Sequence, residues 1–211
     1  MERIKHFLFI GIILFLSNNL LSQNIGIQLD RNLGLIESIL IKQGKIVFEL
    51  DSANRNIKNI YVFSEDSLSE RFFFDPVYDF RPKRKVQLHN EVNLYINSYS
   101  SIDYAKNYSD NVFSGIVGSV IKIDNIEVEY NKRIGDNRII GIVGKIKSIN
   151  DIPIKYHKNY SENQRGGYMG KIESINELNF KFHNNHSYSK LGRYVGKIKE
   201  IGGIKFEYNQ N

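Results

Sequence analysis

The chain lacks cysteine and tryptophan altogether and has only three prolines and two methionines in 211 residues. Without cysteine there is no disulfide, no thiol nucleophile, no thiolate metal ligand and no cysteine-linked lipid anchor. Without tryptophan the strongest aromatic platform for sugar stacking is missing, which weighs against a carbohydrate site. No proline-rich or other low-complexity tract is present. Nucleophile-elbow and phosphate-loop patterns are also absent, and no carboxylate pair recurs at a strand end. The only acidic residues beside an unusual aromatic run are Asp75 and Asp79 in "FFFDPVYDFRP", where Asp-Pro reads more simply as the start of a turn.

What is present is the composition of a folded globular protein, 41% apolar and 25% charged. The start of the chain follows a secretory layout, with a basic "MERIKH", ten apolar residues at 7–16, then "SNNLLSQ". The apolar run is short for a membrane span. The expectation is therefore a signal peptide over 1–22, cleaved after Ser22, with no membrane span in the mature protein and a periplasmic or secreted location. Residues Glu2, Arg3 and Lys5 carry a net +1, so the mature chain would hold +5 of the full +6. That excess allows attraction to anionic envelope polymers.

A short stretch recurs along the second half. "GSVIKIDNIEVEY" begins at Gly118, "GKIKSINDIPIKY" at Gly144, "GKIESINELNFKF" at Gly170 and "GKIKEIGGIKFEY" at Gly196, each 26 residues after the last. Constant spacing without insertion marks a repeat architecture. Two looser copies lie upstream, "GLIESILIKQGKIVFEL" at 34–50, with a turn lengthened by four residues, and "RKVQLHNEVNLYI" at 84–96. They read as degenerate terminal repeats. The expected organisation is an N-terminal β region over 23–83 and a hairpin-repeat region over 84–211, continuous as one β domain.

Each unit reads as a hairpin around a two-residue turn: Asp124-Asn125, Asn150-Asp151, Asn176-Glu177 and Gly202-Gly203. These pairs suit the positive φ angles of a type I′ turn, with Glu177 the poorest fit. Strict alternation would put Ile146 on the face opposite Ile149. A β-bulge in which Lys147 and Ser148 together oppose Pro153 cures this, because the extra residue returns Ile146 to the apolar face beside Ile149, Ile152, Ile154 and Tyr156. Lys145, Lys155, Lys171, Lys181 and Lys197 then occupy the other face, which lipid would not accept. The expected fold is all-β: an antiparallel meander of 26-residue bulged hairpins, curled towards a barrel or a hairpin solenoid.

Candidate sites are few. The basic cluster "RPKRK" offers Arg81, Lys83, Arg84 and Lys85 as a tentative anion site, with paired guanidinium groups suited to phosphate or carboxylate. A solvated turn explains the same charges. His183 and His186 in "HNNHS" lack a third zinc-type ligand, and His157 and His183 share a 26-residue column with Asn131 and Asn209, as an exposed repeat position would. Tyr130, Tyr156, Phe182 and Tyr208 fall on the apolar face as core, whereas Tyr108, Tyr160 and Tyr188 lie in the longer loops. No metal site and no cofactor are expected.

In tandem behind a leader, the "GKIKSI…I-x-Y" units resemble a group of small secreted bacterial proteins with tandem GKIKSI-type β-hairpin repeats. The resemblance covers the repeat region and, loosely, 24–45. It implies an envelope location in a diderm bacterium and transfers no activity or functional residue. The leading expectation is an exported, non-enzymatic protein with a structural or interaction role in the envelope. A binding module for an anionic envelope glycan or phosphate-bearing polymer is the alternative, and a hydrolase with dispersed residues the third. The partner classes in view are an anionic envelope polymer or another envelope protein, not nucleic acid.

Overall fold

The computed structural model describes residues 25–30, 35–51, 57–63, 84–88, 92–96, 100–134, 141–158, 160–161, 167–183 and 195–208. Its architecture is all-β, with two open sheets and one five-residue helix, α1 (Ser109–Phe113), among the described residues. The expected signal segment 1–22 lies outside the described residues. Among the described residues no helix is long and apolar enough to cross a membrane.

The first sheet contains β1 (Ile25–Leu29), β2 (Ile36–Gln43), β3 (Ile46–Asp51), β4 (Ile57–Val62), β5 (Arg84–Gln87) and β6 (Asn93–Ile96), in the order β1-β2-β3-β4-β6-β5. All its pairings are antiparallel except β4 with β6. The hairpin of 34–50 closes with Gly44-Lys45 and Gln43 facing Ile46, so the extra residues lengthen the strands and not the turn. Gly44, at φ 55°, supplies the left-handed residue such a tight turn requires. The hairpin of 84–96 also forms, but it joins this first sheet, so the sheets divide between Ile96 and Ile102.

The second sheet is a nine-stranded meander: β7 (Ile102–Tyr104), β8 (Val120–Ile123), β9 (Ile126–Tyr130), β10 (Ile146–Ile149), β11 (Ile152–Tyr156), β12 (Ile172–Ile175), β13 (Leu178–Phe182), β14 (Ile198–Ile201) and β15 (Ile204–Lys205). It does not close into a barrel, since β7 and β15 end it.

Lys147 is the extra residue, and Ile146, Ile149, Ile152, Ile154 and Tyr156 are all buried in one cluster. Its partner differs from the expected Pro153. Within the hairpin only Ser148 with Pro153 and Ile149 with Ile152 pair before the strands part. The bulge therefore forms against the preceding hairpin, where Ser148 faces Glu129 and Ile146 faces Tyr130. Ile121, Glu173 and Lys199 are skipped in the same way, one per repeat. The bulge is thus a device of the joint between repeats.

Left-handed backbone falls on Asp124, Asn150 and Asn176, at φ 51–53°, and on both Gly202 and Gly203. In the first three turns only the first residue needs positive φ, which is why Glu177 is tolerated second. Each turn amide also reaches the neighbouring hairpin, as from Asn150 N to Glu127 O and from Asn176 N to Pro153 O.

One apolar cluster spans both sheets, including Ile39, Phe48, Leu50 and Ile60 from the first and Ile123, Ile149, Ile175 and Ile201 from the second. An ion pair from Lys45 to Asp124 at 3.4 Å ties their turns together.

Candidate functional site

Two residues of the basic cluster, Arg84 and Lys85, fall within the described fold. Arg81 and Lys83 lie outside the described residues; Arg84 and Lys85 open β5, an edge strand, and both are exposed. Adjacent strand residues point to opposite faces. Arg84 pairs in register with Ile96, and Lys85 with Tyr95 on the outer face. The Lys85 ammonium sits 5.3 Å from the centre of the Tyr95 ring, and Tyr95 stacks on Tyr61 at 5.1 Å and 8°. Basic residues on an edge strand also oppose pairing with another chain.

Behind that edge runs a polar ladder across four strands: Gln87, Asn93, Asn59 and Glu49. Glu49 is buried and accepts hydrogen bonds from Asn59 Nδ2 and Tyr61 OH, each at 2.7 Å. Lys58 pairs with its other oxygen at 3.3 Å, and Asn93 Nδ2 donates to Asn59 Oδ1 at 3.1 Å. Burial first, and then the Glu49 charge, push the Tyr61 hydroxyl well above its usual range. A phenol held neutral and donating, beside a carboxylate already accepting from three groups, makes a structural clamp. Sequence reading missed it. Its one visible signal is a single acidic residue inside the apolar run "IVFEL".

In the repeat sheet the column Ala105, Asn131, His157 and His183 exchanges backbone hydrogen bonds with the following Gly-Lys (Gly-Ser in the first unit): His157 N donates to Lys171 O, and Gly170 N donates to His157 O. The histidines are half-buried, not exposed as expected, because aromatic rings flank them. His157 meets Tyr168 and Phe182 edge-on at 4.9 and 5.6 Å, and His183 meets Tyr208 at 5.8 Å. Desolvation is the main cause that lowers both imidazole pKa values from 6.5. No group of three or more His, Asp or Glu able to hold a metal ion occurs among the described residues.

The lysines of the Gly-Lys pairs are half-buried as well, a departure from the solvent face assigned to them. Lys145, Lys171 and Lys197 lie over Tyr156, Phe182 and Tyr208 at 5.0–5.2 Å. Lys145 Nζ donates to Gly170 O at 3.1 Å and Lys171 Nζ to Gly196 O at 2.5 Å, each reaching into the next repeat. Their methylene stems cover the rings while the ammonium satisfies a carbonyl. On the outer face, Lys147 pairs with Glu129 and Lys181 with Glu200, and these hydrogen bonds hold both carboxyls below the usual range.

At the end of the sheet opposite the two-residue turns, the longer loops stack on one another. Arg133 N donates to Ser114 Oγ at 2.9 Å, across from one loop to the next. From these loops Tyr108, Ile134 and Tyr160 project with 63%, 65% and 58% exposure. They are one column at 26-residue spacing. Lys132 and Ile134 border two open grooves of about 340 and 610 Å³. Tyr188 lies outside the described residues. No protein-family model matches the chain, and neither does any curated protein or solved structure.

Proposed function

We propose that the chain is an exported, non-enzymatic hairpin-repeat protein with an interaction role in the cell envelope. The observation that supports this reading is the recurrence of one exposed apolar position, Tyr108, Ile134 and Tyr160, in three consecutive loops. Large apolar side chains held in solvent at a fixed repeat position serve contact better than packing. Meanwhile Lys147, Lys181, Glu129 and Glu200 are engaged with one another, and Lys145 and Lys171 with the next repeat. The test is retention of an envelope component by the immobilised protein at low and high salt. Recovery of a specific component that Tyr108→Ala with Tyr160→Ala abolishes supports the reading, and retention unchanged by those substitutions counts against it.

A second reading, an anion site at the basic edge, rests on the exposure of Arg84 and of Lys85, whose ammonium lies over the Tyr95 ring. Replacing Arg84 and Lys85 by Gln would then weaken salt-sensitive retention on anionic polymers, since exposed charges are screened beyond about 8 Å at physiological ionic strength.

A further inference from the structure

We infer that the row Tyr108–Ile134–Tyr160 binds a linear acidic polysaccharide, laid along the stacked loops with two sugar rings per repeat. This deepens the interaction reading above and rests on it.

The row is built alike at each step. The amides of Tyr108, Ile134 and Tyr160 each donate to the carbonyl two residues earlier, of Lys106, Lys132 and Lys158, at 2.8 Å. The same tight bend therefore presents the same side chain three times, with a lysine two residues before it. The loops are in direct contact, since a Cβ added at Gly144 would lie 2.8 Å from Ser114 O in the loop before. Successive loops are two strands apart, so the row advances by about 10 Å per repeat.

A partner that exploits such a row must itself repeat at that step. An extended chain of β-1,4-linked pyranoses advances a similar length for every two rings and presents the same ring face each time. Its C–H faces suit tyrosine rings and, more weakly, the branched aliphatic Ile134. Uronate carboxylates suit the column of Lys106, Lys132 and Lys158, with Arg133 beside it and Asp110 on the same groove, on an exported chain that would hold +5 of the full +6. Exposed Val112 and Phe113 widen the apolar row at its first loop, where Phe113 borders one groove with Ile134 and carries Arg133 over its ring. A contact that recurs once per hairpin still suits a repeating polymer better than a single folded patch. The absence of tryptophan is met by repetition: several modest contacts on one polymer act together.

The experiment titrates the exported protein with β-1,4-linked oligomannuronates of two, four and six sugars, with cellohexaose and single-stranded oligothymidylate as controls. Affinity should rise with each added pair of sugars, fall with salt and be weaker for the uncharged cellohexaose. Tyr108→Ala and Tyr160→Ala should each weaken the hexamer by about tenfold. Ile134→Tyr should tighten it, which a structural role for the position would not produce. Thermal unfolding checks that all three variants remain folded. Length-independent affinity, or affinity untouched by the tyrosine substitutions, overturns the inference. So does oligothymidylate binding more tightly through the same tyrosines. Loss only on replacing Arg84 and Lys85 also overturns it, in favour of the basic edge. If no oligomannuronate binds while envelope retention still depends on Tyr108 and Tyr160, the polysaccharide is wrong and the interaction reading stands.

Discussion

His157 and His183 are half-buried against rings, and desolvation lowers the pKa of each below 6.5. Around His157 the nearby charges oppose one another, Glu173 favouring the imidazolium and Lys171 disfavouring it, so desolvation decides. Just below pH 6.5 the unfolded chain then binds more protons than the folded one. The stability these groups contribute is full above 6.5 and is lost as pH falls through their lowered folded values. Glu129 and Glu200 lose theirs only at lower pH, because their folded values lie below 4.5. The melting temperature should therefore drop between pH 7 and pH 5, and His157→Asn with His183→Asn should flatten that drop, as Asn131 already holds this position. An unchanged slope in thermal scans would refute the assignment. Glu49 makes a second residue-level case. Removing its carboxylate in Glu49→Ala strands the donors of Asn59 and Tyr61, at a cost of roughly 2–5 kcal/mol. Glu49→Gln keeps an acceptor and should cost clearly less in urea denaturation. Neither role was legible in the sequence, because both depend on which strands lie side by side.

The hairpins themselves were legible, from apolar spacing and turn chemistry that act within a dozen residues. The bulge was legible as an extra residue but not as a joint, since the spacing shows that Ile146 must turn inward and not which strand accommodates the slip. Deleting Lys147 should remove the slip and drive Ile146 and the residues before it to the polar face, a loss of several kcal/mol, of the order of two buried apolar side chains at ~1.5–3 each. Gly144 tests the same joint from its other side. At φ 78°, with Ser114 O 2.8 Å from the place of a Cβ, Gly144→Ala meets both backbone strain and a clash. Gly44→Ala, at φ 55° with nothing within 4 Å, meets strain alone and should unfold at a higher denaturant concentration than Gly144→Ala.

At the scale of the molecule, the strands of a middle repeat pair only with each other and with the two neighbouring repeats. Excising 145–170 joins Gly144 to Lys171 and leaves each bulge, turn and Gly-Lys lysine with an equivalent partner, while Glu173 takes the place of Lys147 near Glu129. The shortened protein should fold cooperatively, whereas removing one residue fewer should not, because the register beyond the cut reverses. Circular dichroism melts of the two deletions distinguish these outcomes. The first sheet was the least legible part. Its parallel β4–β6 contact joins strands far apart in the chain, which no local period records. The lysine ladder, by contrast, gives the stack a direction: Lys145 grips the glycine of the unit after it, and Lys171 does the same. Under mechanical tension drawn from the C-terminus, the β14–β15 hairpin at the edge of the sheet yields first. Each unit released in turn would pay out about 90 Å of extended chain, so the protein would lengthen in equal steps and behave as a ratcheted tether.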